Sequence, residues 1–415
     1  MRRSRLQWLY PGVGVKRWIV LVVVGVGLAG YALFVLLGVA ASPGVRGELG
    51  VRWVGEHPLR WAALAAVLLV VGSLALGFGL LRLLRFSPPA GGAGVIRSEA
   101  RLARGPRVVA IGGGSGLSVL LSGLKGHTSN LTAVVTVADD GGSSGRLRRE
   151  LGVLPPGDIR SCLVGLADDE SLMSRLFEHR FTDGGLEGHS FGNLFVAALA
   201  EVTGDFERAV RESTRVLKVR GRVLPATLEN VVLHAELQGG ERVAGESTIT
   251  AADELPRRVW LEPDKPQALP QALEAIAAAR LVVLGPGSVF TSVVPNLLIP
   301  GVCEAVKRTR ARVVYVCNVM TQPGETDGFS AADHLRAIYR HGAAGIVDDI
   351  LVNDTPVSDD MAAAYRASGA QLVAVDDRDL AALGVRVVHG RVAAEGDFFR
   401  HDPGRLAEAL VRLAG

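Results

Sequence analysis

A run of glycines after a short apolar stretch is the clearest candidate for chemistry. Gly112-Gly113-Gly114-Ser115-Gly116-Leu117 directly follows Val108–Ile111 and leads into a helical pattern. Glycines let the backbone approach a phosphate closely, and the first N–H groups of a helix attract negative charge. Leu117 stands at the last glycine of the G-x-G-x-x-G dinucleotide fingerprint and breaks it. Gly113, Gly114, Ser115 and Gly116 are therefore predicted to bind phosphate, with a tight structural turn as the alternative.

Two adjacent carboxylates follow the second apolar stretch. Asp139 and Asp140 precede Gly141-Gly142-Ser143-Ser144-Gly145-Arg146. Acids at the carboxyl end of this strand lie where doubly wound folds contact ligand hydroxyls or metals. Neighbouring side chains on an extended chain alternate sides, so we expect only one carboxylate to point into the site, where it would contact a ligand hydroxyl or a metal. The other is expected to cap the glycine-serine loop.

A second glycine turn and two polar clusters extend the predicted site. Gly285-Pro286-Gly287-Ser288 follows an apolar stretch in the same way as the first loop, and Thr291 comes shortly after it. Two such loops on one sheet would hold a diphosphate between them. The polar clusters are Gly188–Leu194, which contains His189 and Asn193, and Asn318–Asp327. His189 is more easily explained as a loop-capping residue than as a catalyst.

These loops need a scaffold, and the pattern from Arg107 onward predicts an α/β fold with a largely parallel sheet covered on both faces. Short β-branched runs alternate with helical stretches. The predicted strands are Val108–Ile111, Ala133–Val137, Leu281–Leu284, Val313–Cys317, Ile350–Val352, Leu372–Val375 and Val385–Val388. The predicted helices include Leu117–Lys125, Gln267–Arg280 and Arg405–Leu413. An antiparallel excursion is expected within Val223–Ala252.

The first part of the chain has a different character. Trp18–Ala41 and Trp61–Leu81 contain no charged residue, and each is long enough, as a helix, to cross a hydrocarbon core of ~30 Å. We therefore predict a transmembrane hairpin over residues 1–86 with helices at about 18–41 and 61–81. A Pro/Gly-rich linker over 87–106 and a nucleotide-binding domain over 107–415 follow. Basic residues flank both outer ends of the hairpin, which predicts a multi-pass protein of the inner or plasma membrane with its N-terminus and soluble domain in the cytoplasm.

Charge and cysteine content bear on two questions: whether the protein binds nucleic acid and whether its cysteines form disulfides. The formal net charge is +3, but residues 1–107 carry 14 basic and 3 acidic side chains, which leaves −8 for the rest. An acidic domain gives no reason to expect nucleic-acid binding. The three cysteines (Cys162, Cys303 and Cys317) form no Cys-x-x-Cys pair and are expected to be reduced, buried thiols.

Taken together, the motifs resemble those of the YvcK/CofD-like family over essentially all of residues 108–415. They are IGGGSGLS, VADDGGSSGRLR, LPPGDIR, GHSFGNL, VLPAT, GPGSVFTSVVPNLL and NVMTQPGETDG. The resemblance looks closest to the YvcK branch, the gluconeogenesis factors that bind UDP-N-acetylglucosamine and support cell shape. The sister branch is the 2-phospho-L-lactate transferase CofD, which acts in deazaflavin coenzyme synthesis. A Rossmann-like, CofD-like fold is implied, and the N-terminal transmembrane hairpin is expected to be an addition to the usual soluble family domain.

The resemblance also implies roles for individual residues. Gly113–Gly116 match the first nucleotide-facing loop, and Asp139 and Asp140 match an acidic pair beside the metal and acceptor of the transferase branch. The other matches are Asn193, Gly287, Ser288, Thr291, Asn318 in the last motif, Tyr365, and Arg400 beside His401. Tyr365 and Arg400 would suit a nucleotide base and diphosphate. Phe290 stands where a tyrosine is common, and Ser161 where asparagine is usual.

Three functions follow as hypotheses. The first is a regulator that binds UDP-N-acetylglucosamine at the lipid bilayer. Its expected partners are envelope-growth proteins and further copies of itself in a homo-oligomer. The second is a Mg²⁺-dependent transferase that moves a phospholactyl group from an activated nucleotide to a deazaflavin. The few Tyr and Trp residues outside the membrane part favour binding over transfer. A nicotinamide-dependent oxidoreductase ranks last because of the broken fingerprint.

Overall fold

A computed structural model describes residues 16–42, 45, 51, 57–84, 101–167, 172–396 and 398–414. The chain divides into two compact units, residues 1–97 and 98–415. Most of the predicted linker, residues 87–100, lies outside the described residues.

Unit 1 contains two long apolar helices, α1 (Lys16–Ala40) and α2 (Pro58–Leu84). Val20–Ala40 and Pro58–Arg82 are apolar and long enough to cross a membrane. The helices pack through glycines: a Cβ on Gly25 would lie 2.6 Å from the backbone nitrogen of Leu76. A Cβ on Gly72 would lie 2.8 Å from the backbone nitrogen of Ala29. Such close backbone packing is typical of helix pairs in membranes, because lipid provides no hydrophobic drive between apolar helices.

Unit 2 is built on a seven-stranded, wholly parallel sheet in the order β10-β9-β8-β7-β1-β2-β3. Its strands are β1 (Val108–Gly112), β2 (Leu131–Val135), β3 (Arg222–Pro225), β7 (Leu281–Leu284), β8 (Arg312–Val316), β9 (Asp349–Asn353) and β10 (Arg386–Gly390). A second sheet, in the order β5-β4-β6, is antiparallel: β4 (Val232–Leu237), β5 (Arg242–Ala244) and β6 (Pro256–Glu262). β11 (Ala393–Ala394) and β12 (Arg400–His401) form a small antiparallel pair.

The helices of unit 2 cover both faces of the parallel sheet. They are α3 (Gly114–Leu124), α4 (Gly142–Leu151), α5 (Gly157–Leu166), α6 (Leu172–Glu178), α7 (Phe191–Thr203), α8 (Phe206–Val216), α9 (Glu246–Thr250), α10 (Pro270–Ala277), α11 (Val294–Leu297), α12 (Pro300–Arg308), α13 (Ala331–Ile338), α14 (Asp359–Ala367), α15 (Asp377–Ala382) and α16 (Pro403–Ala414). Short 3₁₀ and π segments at Gly184–Leu186, Val289–Val293 and Tyr339–Ala343 complete the fold.

Side-chain alternation along the central strand divides the core in two. Val109 and Ile111 pack into one buried apolar cluster, and Val108 and Ala110 pack into the other. All five residues of β1 are buried. Burial on both faces explains why these strands read as unbroken β-branched runs rather than as alternating patterns.

The predicted architecture is confirmed, with one strand wrong. The parallel sheet and the antiparallel excursion within Val223–Ala252 are both present. Leu372–Val375, predicted as a strand, lies outside the parallel sheet; Leu372, Ala374 and Val375 are exposed, and half-buried Val373 donates to the Val319 carbonyl at 3.1 Å. Leu372 forms a single antiparallel β-bridge with Met320, and Leu372 is 40% exposed. β-branched residues favour extended backbone whether or not a sheet neighbour is available, so the run alone did not place it in the sheet.

Candidate functional site

The carboxyl ends of the parallel strands open onto a cavity of about 510 Å³ in unit 2. Most of the residues predicted to bind a nucleotide line it: Gly113, Gly114, Ser115, Gly116, Gly287, Ser288, Thr291, Asn318, Tyr365 and Arg400. Ligands of doubly wound folds bind at this edge. Asp139, Asp140 and Asn193 lie outside the cavity lining, and Glu246 and His401 join it.

The first glycine loop is packed so closely that side chains are excluded. A Cβ on Gly113 would overlap the carboxylate of Asp158, and a Cβ on Gly116 would lie 2.6 Å from the carbonyl oxygen of Pro286. Gly114 has φ +65°, a backbone conformation that favours glycine. The loop therefore brings the start of α3 against the second glycine turn, with backbone rather than side chains facing the cavity.

Glu325 holds the second glycine turn in place. Its buried carboxylate accepts hydrogen bonds from the Ser288 hydroxyl and from the N–H groups of Phe290 (2.9 Å) and Thr291 (3.1 Å). Burial raises the pKa of Glu325, and these hydrogen bonds oppose that rise. The N–H groups that a phosphate would use at this helix start are thus already bonded to a protein side chain.

Asn318 connects the strand after the second turn to the turn itself. Its side-chain oxygen accepts the N–H of Gly287 at 3.2 Å. Gly287 has φ +156° and Gly285 has φ +74°. The turn is therefore positioned by a side chain from the end of β8 as well as by Glu325.

Three carboxylates form an acidic cluster beside the first loop. Desolvation and the neighbouring charge of Asp139 raise the pKa of Asp158 to about 7. Desolvation, followed by the charges of Asp139 and Asp158, raises the pKa of Glu246 to about 8. Burial also raises the pKa of Asp139, although it accepts the Gly141 N–H at 2.9 Å. The cluster therefore holds protons near neutral pH.

Asp140 has a different role from its neighbour. Its carboxylate accepts the N–H of Ser247 at 2.8 Å, at the start of α9. A Cβ on Gly245 would overlap the same carboxylate. Asp140 thus caps α9, which carries Glu246, whereas Asp139 faces its own loop and Asp158. The two carboxylates therefore diverge: Asp139 caps the glycine-serine loop through the Gly141 N–H, and Asp140 caps α9.

Asn193 and His189 lie on the other side of the glycine-serine loop. The Asn193 amide donates to the Ser144 hydroxyl at 3.5 Å, and a ring nitrogen of His189 lies 3.1 Å from the Ser143 hydroxyl. Both residues are buried. Desolvation, helped by the nearby Arg146, lowers the pKa of His189. A neutral, buried histidine bonded to a loop serine fits the predicted capping role.

The far end of the cavity is formed by Tyr365, Arg400 and His401. The Tyr365 hydroxyl is 3.2 Å from the Phe399 carbonyl oxygen and 3.1 Å from the Phe399 nitrogen, so it fixes the segment that carries Arg400. Arg400 is exposed. Burial lowers the pKa of His401 to about 4, so it is neutral. Arg400 is thus the cation at this end of the cavity lining.

Comparison with known proteins gives the family. Residues 108–393 match the model of the family described as "2-phospho-L-lactate transferase CofD". A "Gluconeogenesis factor" from Halalkalibacterium halodurans is 52% identical over 306 residues, which cover 73% of this chain and 95% of that protein. The chain belongs to the CofD/YvcK family. It is also 48% identical to a "Gluconeogenesis factor" from Bacillus subtilis over 310 residues, 74% of this chain and 98% of that one.

Two further relatives of this CofD/YvcK family member differ in whether they align with unit 2 alone or with both units. The crystal structure of a protein of the UPF0052 family from Bacillus halodurans has a TM-score of 0.71 and 52% identity, and covers 73% of this chain and 99% of that one. That protein thus consists of the α/β unit alone, which folds there without N-terminal helices. A relative from Nostoc sp. is 44% identical over 438 residues, 99% of this chain and 92% of that one. The N-terminal segment, expected to be an addition to the family domain, is therefore shared by this relative.

The two departures from the family pattern have structural explanations in this CofD/YvcK chain. Phe290 is fully buried and packs edge-on against Phe329 at 6.2 Å. Its ring belongs to the core, and only its N–H takes part in the second turn, through Glu325. Ser161 accepts from Arg160 at 3.1 Å and donates to the Gly157 carbonyl at 3.0 Å. It supports the start of α5, where Asp158 lies.

The acidic cluster fits a Mg²⁺ ion only in part. In the described ranges no three His, Cys, Asp or Glu side chains are arranged as metal ligands. Mg²⁺ is often held by one or two carboxylates together with substrate phosphates. Asp139 supplies one such carboxylate, while Asp140 is occupied at α9. A metal here would therefore depend on a bound phosphate for its remaining ligands.

Asp158→Asn is expected to remove a pH dependence of stability. The native pKa of about 7 lies above the ordinary value of 3.8, so the folded state binds a proton that the unfolded state releases between these values. Wild-type stability therefore falls as the pH rises from about 4 to about 7. We expect the variant to be more stable by roughly 1–3 kcal/mol at about pH 8, with the difference shrinking at lower pH.

The measurement is urea unfolding at a series of pH values. Asp264→Asn, which alters an exposed aspartate in the loop after β6, is the control and should keep the wild-type slope. An unchanged slope in Asp158→Asn would show that this carboxyl does not hold the proton.

Proposed function

We propose that this protein is a membrane-tethered, cytoplasmic regulator that binds UDP-N-acetylglucosamine and links it to cell shape, envelope growth and carbon metabolism. The observation that carries the proposal is the meeting of two glycine loops, Asn318 and Arg400 around one cavity at the carboxyl edge. Its volume of about 510 Å³ falls in the usual range for small-molecule sites, ~300–1,000 Å³. Membership of a family that includes gluconeogenesis factors supports the metabolic part.

The chemistry of the cavity suits a nucleoside diphosphate attached to a sugar. Ser115 and Gly116 offer N–H groups at the start of α3, whereas the Gly114 N–H is bonded to Asp158. Arg400 offers a guanidinium that pairs with phosphate oxygens. The second turn contributes less to phosphate binding, because Glu325 already occupies its N–H groups. The proposed diphosphate therefore lies along the first loop toward Arg400, and Thr321 and Gln322 supply polar side chains nearby.

A transferase remains the second candidate, because the matching family model is that of 2-phospho-L-lactate transferase. In that reaction a deazaflavin hydroxyl would attack the phosphorus of the phospholactyl group, the P–O bond that joins this group to the nucleotide would break, and the nucleotide would leave with its remaining phosphate. Mg²⁺ beside Asp139 would supply charge neutralisation, and Asp158 or Glu246, whose pKa values lie near neutrality, would accept the proton. The binding proposal predicts a stable complex, whereas the transferase predicts turnover with a deazaflavin acceptor.

Arg400→Ala is expected to weaken UDP-N-acetylglucosamine binding by about tenfold or more, since a charge-assisted hydrogen bond contributes roughly 1.5–3 kcal/mol. Isothermal titration of the α/β unit, residues 98–415, measures this directly. Arg391→Ala is the matched control, because Arg391 is an exposed arginine of the same region that does not line the cavity. Equal affinities of the wild type and Arg400→Ala would place the diphosphate elsewhere.

The membrane tether is a separate part of the proposal and has its own test. We expect the full chain to stay in the membrane fraction after a wash in about 1 M NaCl, which screens charges beyond ~3 Å. A chain lacking residues 1–97 should be released by the same wash, because it lacks both apolar helices. Retention of the shortened chain after the wash would contradict anchoring by α1 and α2.

A further inference from the structure

The amino edge of the parallel sheet carries a row of basic side chains. An arginine stands at, or immediately before, the first residue of five of the seven strands: Arg386 (β10), Arg312 (β8), Arg280 (β7), Arg107 (β1) and Arg222 (β3). Because all seven strands are parallel, these arginines lie along one edge. Neighbouring strands are ~4.8 Å apart, so the row is roughly 30 Å long.

Acidic residues at this edge neutralise only part of the charge. Buried Asp349 pairs with both Arg312 and Arg386, and Glu304 pairs with Lys307 and Arg308. Asp348 and Glu274 are exposed nearby. Arg107, Arg222 and Arg310 are exposed and form no ion pair within the described part of the chain. The edge thus stays positive although residues 108–415 carry a net charge of −8.

Two cavities open at this edge, and each is lined by basic residues. One, of about 490 Å³, has Arg107, Asn130 and Arg222 in its lining. The other, of about 540 Å³, has Lys307, Arg310 and Arg312 in its lining. Each cavity also has one carboxylate in its lining, Glu274 in the first and Asp348 in the second. The acidic cluster of Asp139, Asp158 and Glu246 lies instead with the nucleotide cavity at the carboxyl edge. The row of arginines and the acidic cluster thus lie at opposite edges of the sheet.

The chain enters unit 2 at the basic edge. The segment before β1 is fixed there, since Ser129 donates to the Leu102 carbonyl at 3.0 Å and the Asn130 amide donates to the Gly105 carbonyl at 2.8 Å. This segment adds Arg101 and Arg104, both exposed. Only residues 85–100 separate it in sequence from α2, which is apolar and long enough to cross a membrane. If α2 lies in a membrane as proposed, the bilayer surface is the anionic surface closest in sequence to these arginines.

We propose that the basic edge, defined by Arg101, Arg104, Arg107, Arg222, Lys307 and Arg310, binds the surface of an anionic lipid bilayer. Basic residues close to such a surface each contribute about fivefold to binding, and the effect is lost at high salt. Phosphate headgroups would enter the two cavities. The nucleotide cavity would then open away from the lipid, toward soluble ligands and partners. This inference rests on the proposed membrane tether, but not on which nucleotide binds.

Vesicle sedimentation of the α/β unit, residues 98–415, tests the proposal, because the Bacillus halodurans relative is this unit alone. At low ionic strength we expect the unit to sediment with vesicles of phosphatidylglycerol and phosphatidylcholine in equal amounts, but not with pure phosphatidylcholine. Combined Arg107→Glu, Arg222→Glu and Arg310→Glu should lower the partition coefficient more than tenfold, given about fivefold for each lost charge. The corresponding triple substitution to lysine should leave binding intact.

Arg258→Glu with Lys265→Glu is the matched control, since both residues are exposed and basic but lie on β6 and in the loop after it. An unchanged melting temperature and unchanged nucleotide affinity in the glutamate variant exclude misfolding. The proposal is overturned by absence of binding to anionic vesicles, or by equal losses in the variant and its control. It is also overturned if an RNA or DNA duplex, rather than the vesicles, is bound in a way that depends on the three arginines.

Discussion

Replacing Gly116 by alanine is expected to weaken nucleotide-sugar binding by about tenfold or more, since overpacking of a closed contact costs ~1–3 kcal/mol. The added Cβ would lie 2.6 Å from the Pro286 carbonyl oxygen and 3.3 Å from the Gly287 Cα atom. Both are backbone atoms, so the clash is relieved only if α3 and the second glycine turn move apart. Such a movement would displace the first loop, along which the proposed diphosphate lies. Isothermal titration and thermal unfolding of the same sample separate loss of binding from loss of folding.

Gly126→Ala is the control for this substitution. Gly126 follows the other end of α3, and a Cβ there would have its nearest neighbour at an ordinary 3.5 Å. We expect wild-type affinity in the control. If Gly116→Ala binds as tightly as the control, the contact between the two loops is not part of the binding site.

Glu325→Ala is expected to have the largest effect on folding and binding together. The substitution leaves the N–H groups of Phe290 and Thr291 and the hydroxyl of Ser288 without their carboxylate acceptor. Buried donors that lose their partner cost about 1–3 kcal/mol each, so we expect the free energy of unfolding to fall by roughly 3–5 kcal/mol. The second turn should then lose its fixed shape, and nucleotide binding should fall with it.

Glu325→Gln separates the hydrogen bonds from the charge. Glutamine retains a side-chain oxygen that can accept from the same donors, and it resembles the protonated form that a raised pKa favours. We expect this variant to keep most of the stability, as measured by urea unfolding. If Glu325→Ala were as stable as wild type, Glu325 would not be the support of the second turn.

Local sequence patterns were sufficient to predict those elements and loops whose conformation depends on neighbouring residues. The glycine loops, the parallel strands and the apolar helices each leave a short pattern, and the structure has them close to the predicted bounds. Predictions from short patterns were wrong where an apolar run lacks a sheet neighbour, as at Leu372–Val375.

Short sequence patterns cannot predict contacts between distant parts of the chain. Glu325 bonds residues 34 to 37 positions earlier, and Asp140 caps a helix 107 positions later. Glu246 meets Asp139 and Asp158 only in the folded chain. The motifs that contain Glu325 and Asp158 were recognised, but the support that these residues give to the two glycine loops required the structure.

Two features distinguish binding from catalysis in this site. The carboxyl-edge cavity is lined by glycine backbone, polar side chains, Glu246 and the cation Arg400, and under the binding proposal these groups would recognise a diphosphate. The carboxylates of Asp158 and Glu246 hold protons near neutral pH and are the candidates for any proton transfer. Asp158→Asn therefore separates the two functions: binding of UDP-N-acetylglucosamine should survive it, whereas transfer to a deazaflavin should be lost.

Calorimetric titration of residues 98–415 with UDP-N-acetylglucosamine, with and without Mg²⁺, tests the central claim most directly. We predict saturable heat with one ligand per chain, abolished or weakened in Gly116→Ala and Arg400→Ala and retained in Gly126→Ala and Arg391→Ala. Absence of heat with this ligand, together with turnover of an activated phospholactyl nucleotide and a deazaflavin, would contradict the regulatory proposal and identify a transferase.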